Sequence, residues 1–454
     1  MEVINIKSYF IKGSLWVAVG AVVVLTASYA IANAKWLYPG FILLFPLLVY
    51  IFFKIPFLFF FGLYASIIPL DSVLLITSGH SLTKYLAILI IIILFLKGIS
   101  ENKFMRPDRI VIWLILLSFY SILTILWAIN PQLSLGNVRN VVALPIFYLI
   151  VSSYKVHLKD YEKLKWFIIC GGFLTALMEL YSYKTILQAK TDIDRVAIML
   201  GDQASSLNTL AFSLLIPVAV VFGKILQAEK KRKLFLITIL GFMLFSIILT
   251  GSRGGMLGVG VIFCVFFLYS KKKITLLVLI VAILILAIFF APSFFFERWK
   301  IAYETGGDGR TYIWYVGLIA LQKYFFIGAG LYNFPAAYNE FVEYSPIYMG
   351  INRASHNIYI GLFVELGIVG VILMLTSFVK HYKAIDKDSK FNRYDIDSIV
   401  LKASFWALLT SSFFLDTFWD KPFWLLWMLI LIRKNALRKE SARFYTIHNK
   451  SNAI

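Results

Sequence analysis

The chain alternates between long apolar runs and short polar stretches over almost its whole length. A helix that crosses a bilayer needs about 20 apolar residues. By that criterion the apolar runs lie near 14–33, 36–53, 55–70, 82–99, 110–129, 134–154, 165–182, 205–223, 234–251, 254–270, 274–291, 356–379, 399–418 and 421–433. The third and the last are short, and Pro39, Pro46 and Pro56 blur the second and third. The pattern therefore predicts an all-α polytopic integral membrane protein with about 12 to 14 transmembrane helices.

Basic residues between the apolar runs predict how these helices are oriented. Clusters of Lys and Arg lie near 7–12, 54, 97–109, 155–165, 224–233, 271–273, 380–393 and 433–450, after every second span. The positive-inside rule makes this side cytoplasmic, so we expect both termini in the cytoplasm. The first apolar run lacks a small-residue cleavage site, so we expect no cleavable signal peptide. The outer side then carries 183–204, the turn 251–254 and a long loop, 292–355. A loop of that length is usually functional.

Composition and charge support the same class of protein. The 454 residues are 60% hydrophobic and 15% charged, and the mean hydropathy is +0.82. A soluble domain would need far more polar surface. The net charge of +20 comes from short clusters between spans, so we attribute it to membrane topology and expect no nucleic-acid partner. Cys170 and Cys264 both lie in apolar segments and form neither a disulfide framework nor a metal motif.

The polar stretches divide the chain into four regions. We expect amino-terminal transmembrane helices over 1–182, a functional core over 183–372 that includes loop 292–355, carboxy-terminal transmembrane helices over 373–433, and a basic cytoplasmic tail over 434–454. No internal repeat and no inverted pair of broken helices is evident. A secondary transporter is therefore disfavoured, because such proteins are usually built from repeats.

Four polar features are expected on the outer side. Taken singly, a loop arginine is ordinarily solvated, and a lone histidine is more often a helix-terminal residue than a catalyst. An arginine between two spans is harder to explain, because it is costly unless it serves an anion or a carboxylate. The four features are Arg195 with Gly201-Asp202 and Asn208; Ser252-Arg253-Gly254-Gly255; Gly309-Arg310 with Trp314, Gly328-Ala-Gly330 and Asn333; and His356-Asn357 preceded by Arg353.

Together these residues indicate a particular chemistry. Arginine grips phosphate with two parallel hydrogen bonds, and histidine can move protons near neutral pH. Several arginines with one histidine suit a substrate whose diphosphate lies at the lipid surface. Arg139, near the outer end of its span, is a second-rank candidate for lining a polar cavity. Glu365 lies about 13 Å deeper along the helix that follows His356, so we interpret it as a packing group.

The same residues resemble the motifs of the O-antigen ligase and O-antigen polymerase superfamily. The similarity covers roughly 186–372, and the order of the four features before His356-Asn357 and Glu365-Leu-Gly367 makes it fairly specific. The resemblance implies a GT-C-like glycosyltransferase in the bacterial inner membrane, with a periplasmic active site. Its donor would be a glycan on undecaprenyl diphosphate.

By motif position, the resemblance implies that Arg195, Arg253 and Arg310 bind the diphosphate and that His356 lies near the acceptor. Arg310 and His356 would be catalytic, while Asn208, Asn357 and Arg353 join Arg139 as second-rank residues. No Asp, Glu and His grouping suggests a metal site, so we expect a metal-free mechanism without a cofactor.

The resemblance leaves the acceptor open. The leading hypothesis is a ligase whose acceptor is a lipid A-core sugar, as in lipopolysaccharide biosynthesis. The alternative is a polymerase of O-antigen, capsule or exopolysaccharide repeat units. A protein O-oligosaccharyltransferase and a transporter of lipid-linked sugar rank lower. Polysaccharide assembly proteins and the bilayer itself are the other expected partners.

Overall fold

The computed structural model describes most of the chain beyond the first 49 residues. The described residues are 50, 54–71, 73–77, 80–189, 195–200, 203–271, 273–305, 307, 309–387, 395–416 and 418–451. The predicted span 14–33 and nearly all of 36–53 lie outside them. So do Gly201 and Asp202, which the sequence grouped with Arg195.

The described part of the chain is built almost entirely of helices. Short 3₁₀ segments lie at Ile68–Leu70, Thr124–Trp127, Val342–Tyr344 and Ser412–Phe414. Two small antiparallel hairpins add β1 (Leu75–Thr77) with β2 (His80–Ser81), and β3 (Met199–Leu200) with β4 (Gln203–Ala204). The helices are α1 Phe57–Ile67, α2 Leu82–Ser100, α3 Val111–Leu123, α4 Pro131–Ser152, α5 Leu158–Ala189, α6 Leu207–Gln227, α7 Lys230–Leu249, α8 Arg253–Tyr269, α9 Lys273–Phe290, α10 Ser293–Glu304, α11 Arg310–Tyr324, α12 Phe334–Phe341, α13 Ile358–Lys387, α14 Ile396–Ser411 and α15 Lys421–Ser451.

The helices confirm the predicted all-α polytopic membrane protein. Among the described residues, seven helices (α2, α4, α5, α6, α7, α13 and α14) are long and apolar enough to cross a membrane. A bent pair, α9 with α10, adds an eighth candidate, and α1, α3 and α8 are shorter apolar helices. Every predicted span from residue 55 onward coincides with a helix. The predicted total of about 12 to 14 also includes the two spans that lie largely outside the described residues.

The segment 292–355, predicted as a long loop, is largely helical. It begins with α10, which follows α9 after a bend of 98°, and continues with α11 and α12. Its own apolar cluster includes Val316, Phe334 and Tyr338 and packs on Val364 of α13. A connection of this length is stable because it buries apolar surface of its own.

Helix α6 is the centre of the bundle. From Leu210 to Gly223 every side is buried, as expected for a helix that is apolar all round. Helices α5, α7, α8 and α14 pack around it. Helix α8 also packs closely along α14 and α6 at Gly258. A Cβ added there would lie 3.4 Å from the carbonyl oxygen of Ala407 in α14 and 2.8 Å from Leu215 in α6. The amino-terminal end of α6 is where the candidate site lies.

Helix α13 is interrupted by Gly367, and this break anchors the folded segment 292–355. Gly367 has a φ of 63°, a region that other residues rarely adopt. Near the break, the carbonyls of Val364 and Glu365 accept hydrogen bonds from the N–H groups of Ala329 and Gly330, at 2.8 and 2.9 Å. The Gly328-Ala-Gly330 and Glu365-Leu-Gly367 motifs therefore fit together as a structural joint.

Candidate active site

A tight turn between α7 and α8 places Arg253. Gly251 has a φ of 60°, and the Ser252 hydroxyl caps α8 by accepting from the N–H of Gly255 at 3.3 Å. Gly254 lies against Phe414, since an added Cβ would be 3.3 Å from that side chain. The turn therefore fixes Arg253 at the first position of a buried helix, as expected from the glycines on either side.

Arg195 lies over this turn and holds Asn208. Its Nε donates to the carbonyl of Thr250 at 2.7 Å, and its terminal nitrogen donates to Oδ1 of Asn208 at 2.9 Å. Its side chain passes 3.4 Å from the position that a Cβ on Gly251 would occupy. Arg195 thus fixes the floor of the site, and Asn208 is the residue through which it reaches the site.

Arg310 comes from the folded segment 292–355 to the same place. It is the first residue of α11, after Gly309, whose φ is 75°. One of its terminal nitrogens donates to the carbonyl of Phe414 at 3.2 Å. Arg310 is half-buried. Its guanidinium is therefore held by the Phe414 carbonyl and is only partly solvated.

The three chain segments enclose a narrow cleft, which we call the arginine cleft. Its volume is about 10 Å³, roughly the space of one water molecule, so a larger anion would contact the cationic groups at the mouth of the cleft. Among the described residues that line it there is no Asp or Glu. Helices α6, α8 and α11 all begin here, and their amino-terminal N–H groups add partial positive charge. The lining is Asn208, Gly251, Ser252, Arg253, Gly254, Arg298, Arg310, Phe414 and Leu415. The arrangement suits a multiply charged anion such as a diphosphate.

His356 lies beside the cleft in a strained conformation. Its φ is 47°, a conformation that costs a residue other than glycine about 1–2 kcal/mol. Its backbone N–H donates to Oδ2 of Asp416 at 2.8 Å, and the Ser355 hydroxyl donates to Oδ1 of the same carboxylate. Trp314 also donates from Nε1 to the Ser355 carbonyl at 2.9 Å. Asp416 and Trp314 therefore fix the backbone that carries the imidazole.

The surroundings of His356 favour its neutral form. Burial lowers the pKa of the imidazole below its ordinary 6.5; Asp416 opposes this change, and Arg310 and Arg353 add to it. A neutral imidazole at physiological pH can accept a proton. The effect of Arg310 on this pKa indicates that His356 lies near the arginine cleft.

The remaining predicted residues do not line the arginine cleft. Asn357 caps α13, since its Oδ1 accepts from the N–H groups of Tyr359 and Ile360 at 2.9 and 3.2 Å. Asn333 is buried and links α12 to α4 by donating to Ser134 at 2.9 Å. Arg353 is exposed and donates to the carbonyl of Met349. Arg139 lines a different cavity.

Two residues of the site were missed from the sequence. Arg298 lies on α10, which the sequence treated as loop, and Asp416 follows α14 in the region assigned only to carboxy-terminal helices. The segment 412–416 connects both halves of the site: Phe414 binds Arg310, Leu415 lines the cleft, and Asp416 holds His356. An acidic residue at the outer end of an apolar run was the available signal for Asp416.

The described residues contain no group of three or more His, Cys, Asp or Glu side chains that could hold a metal ion. Cys170 and Cys264 are free and exposed on the helix surface.

The fold and the cleft define a multi-helix membrane protein with a cationic site at one end of the bundle. A family model described as O-antigen ligase matches residues 236–375, which confirms the resemblance to that superfamily. The match contains Arg253, Arg310 and His356 and supports a glycosyltransferase-like enzyme of the ligase or polymerase type. Arg195 and Asp416 lie outside the matched residues. No curated protein matches the chain.

Proposed function

We propose that this protein transfers a glycan from undecaprenyl diphosphate to an acceptor hydroxyl on the periplasmic face of the bacterial inner membrane. The observation that carries the proposal is the arginine cleft beside a neutral histidine. Three arginines line the cleft and a fourth holds Asn208 in its floor. A leaving diphosphate needs cationic donors fixed in this way.

The chemistry follows from the two halves of the site. The acceptor oxygen attacks the anomeric carbon of the donor sugar, and the imidazole of His356 takes the hydroxyl proton. The bond between the anomeric carbon and the phosphate oxygen breaks, and undecaprenyl diphosphate leaves with the electron pair. Arg253, Arg298 and Arg310 stabilise its charge, a role typically worth about 3–4 kcal/mol per donor. The mechanism proposed here needs no metal ion, which a chelator can test.

An apolar groove supports a lipid-linked donor. Helices α5, α7 and α9 enclose a groove of about 600 Å³ that includes Leu180, Gly241, Phe245 and Ile248. Leu180 and Phe245 also pack on a cluster with Val196 and Phe294, next to Arg195 and near Arg298. The groove thus runs along α7 towards the arginine cleft. We assign it to the prenyl chain of the donor, whose diphosphate lies in the cleft.

The charged site residues also disfavour a transporter. A transporter of lipid-linked sugar would place its binding groups near the bilayer midplane. The cleft instead lies at the helix ends, where α6, α8 and α11 begin. This arrangement suits chemistry at one membrane face.

Deletion of the gene, followed by gel analysis of the surface glycan, tests the function in the cell. Loss of all polymer attached to lipid A, while polymer on undecaprenyl diphosphate is still made, supports the leading hypothesis of a ligase. Survival of a single-repeat glycan on lipid A supports a polymerase. Unchanged surface glycan would contradict both. Complementation with Lys300→Ala, which removes an exposed lysine of α10 outside the cleft, should restore the wild-type pattern.

A further inference from the structure

A second polar cavity lies at the same end of the bundle as the arginine cleft. Its volume is about 290 Å³, and it lies between α2, α4 and the start of α15. We call it the Arg139 cavity. Its charged lining is Asp71, Lys84, Arg139, Asp420 and Lys421. The proposed function makes no use of these groups.

The basic side chains that line this cavity outnumber the acidic ones. Lys421 is engaged by Asp71 in an ion pair and donates to Thr83 at 2.7 Å. Arg139 is exposed and forms no hydrogen bond or ion pair with any described residue. Burial raises the pKa of Asp420 to about 7, against the opposing effect of Lys421. An arginine inside a membrane-spanning helix without an acidic partner indicates an anionic ligand.

Two residues that line the cavity carry buried donors without a partner. The hydroxyl of Tyr64 and Nε1 of Trp419 are both buried within the protein, and neither has a hydrogen-bond partner among the described residues. Tyr64 is fully buried. Buried donors are nearly always satisfied in native proteins, so these two indicate where a ligand supplies acceptor oxygens.

The rest of the cavity is apolar and opens sideways. Below the charged rim it is lined by Ile88, Ile91, Leu144 and Phe147. Tyr85 and Ile88 are about half exposed, at 47% and 48%, on the face of α2 that would meet lipid. A molecule with an anionic head and an apolar chain therefore matches the lining from rim to base.

The cavity shares lining residues with a second cavity that lies next to the residues holding His356. Trp419 and Asp420 also line a neighbouring cavity of about 230 Å³ that contains Ser355 and Asp416. Tyr332 of that cavity is hydrogen-bonded to Asn140, the residue after Arg139. A glycan attached to a head group at Arg139 could therefore extend to His356.

We propose that the Arg139 cavity binds the phosphate of the acceptor, which is itself a phosphate-bearing glycolipid. This inference rests on the proposed function and supplies its second substrate. The phosphate accepts from Arg139, Tyr64 and Trp419, and the lipid chain lies along α2 and α4. A polyprenyl diphosphate and a lipid A-core both carry such a phosphate, and the experiment below distinguishes them.

The first test counts bound lipid by native mass spectrometry of the full chain, with unglycosylated undecaprenyl diphosphate as the probe. If the acceptor is polyprenyl-linked, wild type binds two molecules and Arg139→Ala and Arg310→Ala bind one each. If it is a lipid A-core, undecaprenyl diphosphate binds once, and phosphorylated lipid A-core binds to wild type but not to Arg139→Ala. Lys300→Ala should behave as wild type in both arms.

The second test is kinetic and uses a reconstituted transfer assay. Removing an arginine that binds phosphate should raise the KM for the acceptor by about 10- to 100-fold, leaving the KM for the donor unchanged. Arg139→Lys should lose less, and it also controls for misfolding. Trp419→Phe keeps the ring and removes one donor, so a smaller rise is expected.

Unchanged binding of both probes and an unchanged acceptor KM in Arg139→Ala would overturn the inference. That result would leave the proposed function intact, provided that Arg310→Ala still loses its bound donor. Conversely, donor binding that survives Arg310→Ala would refute the proposed function whatever Arg139 does.

Discussion

Asp416 offers a sharp test of how the site is built, because it holds His356 only through the backbone. Its carboxylate accepts from the N–H of His356 at 2.8 Å and from the hydroxyl of Ser355. A hydrogen bond to a charged group is worth about 1.5–3 kcal/mol, and the exposure of Asp416 favours the lower end. These bonds offset the roughly 1–2 kcal/mol of strain at the positive φ of His356.

Asp416→Ala should therefore release His356 from its strained conformation. Losing about 1.5–3 kcal/mol would lower the fraction of molecules with the imidazole in place by roughly 10- to 100-fold. We expect kcat to fall by a similar factor. Asp416→Asn keeps one acceptor oxygen, so its loss should be smaller.

The pH dependence separates this role from general destabilisation. The imidazole is active when neutral, so transfer is lost as the pH falls through its pKa. Asp416 raises that pKa, and its removal should move the acid limb of the rate profile to lower pH. Glu343→Gln, which changes an exposed carboxylate in segment 292–355, should change neither the rate nor the limb.

The assay is the initial rate of transfer by purified protein in liposomes, measured from about pH 5 to pH 8. A rate for Asp416→Ala within twofold of wild type, with an unmoved acid limb, would refute the reasoning. A lower rate with an unmoved limb would show that Asp416 acts on the fold and has no effect on the imidazole.

Three further predictions concern topology, the base and the donor lipid. Reporter fusions at Ser345 and at the carboxyl terminus should give opposite readouts, and the same readout at both would overturn the predicted orientation. In His356→Gln the rate of transfer should fall by a factor on the order of 10²–10⁴, and the acid limb of the pH–rate profile should disappear. A fully active variant would rule out His356 as the general base. An added Cβ meets nothing within 4 Å at either Gly241 or Gly260, and only Gly241 lines the groove. Gly241→Leu should displace about two CH₂ groups of the prenyl chain and slow transfer by about tenfold, whereas Gly260→Leu should not; equal rates would contradict the groove assignment.

The class of fold could be predicted from hydropathy alone. Apolar runs of about 20 residues leave few alternatives in a bilayer, and each predicted span within the described residues coincides with a helix. The folded segment 292–355 could not be predicted in this way. Its helices bury apolar faces on α13 and on each other, so their pattern does not resemble that of a membrane span.

The candidate site was predictable where a residue type is unusual for its place. Arg253 is flanked by glycine between two apolar runs, and the structure places it in the cleft. Arg310 reaches the same cleft, whereas Arg195 acts through Asn208. Asn357 and Asn333 matched the motifs equally well, but Asn357 caps α13 and Asn333 joins α12 to α4. Spacing along the chain cannot distinguish such roles from catalysis.

Asp416 and Arg298 depended on tertiary contacts that the sequence does not show. Asp416 meets His356 across 60 residues of chain. Arg298 reaches the cleft only because α10 turns away from α9 at 98°. A site assembled from several helix ends is therefore visible only once the bundle is packed.

The central claim is that the arginine cleft binds the donor diphosphate during glycan transfer. The most direct measurement is a single-turnover reaction in proteoliposomes with a purified undecaprenyl-diphosphate-linked glycan, the phosphate-bearing acceptor and a metal chelator. Wild type and Lys300→Ala should release one undecaprenyl diphosphate for each glycan transferred. Arg253→Ala and Arg310→Ala should lose transfer by roughly 10²–10³-fold while inserting normally, and the corresponding lysine variants should recover part of it. Full activity of both alanine variants would contradict the claim, and transfer that stops with the chelator would contradict the metal-free mechanism.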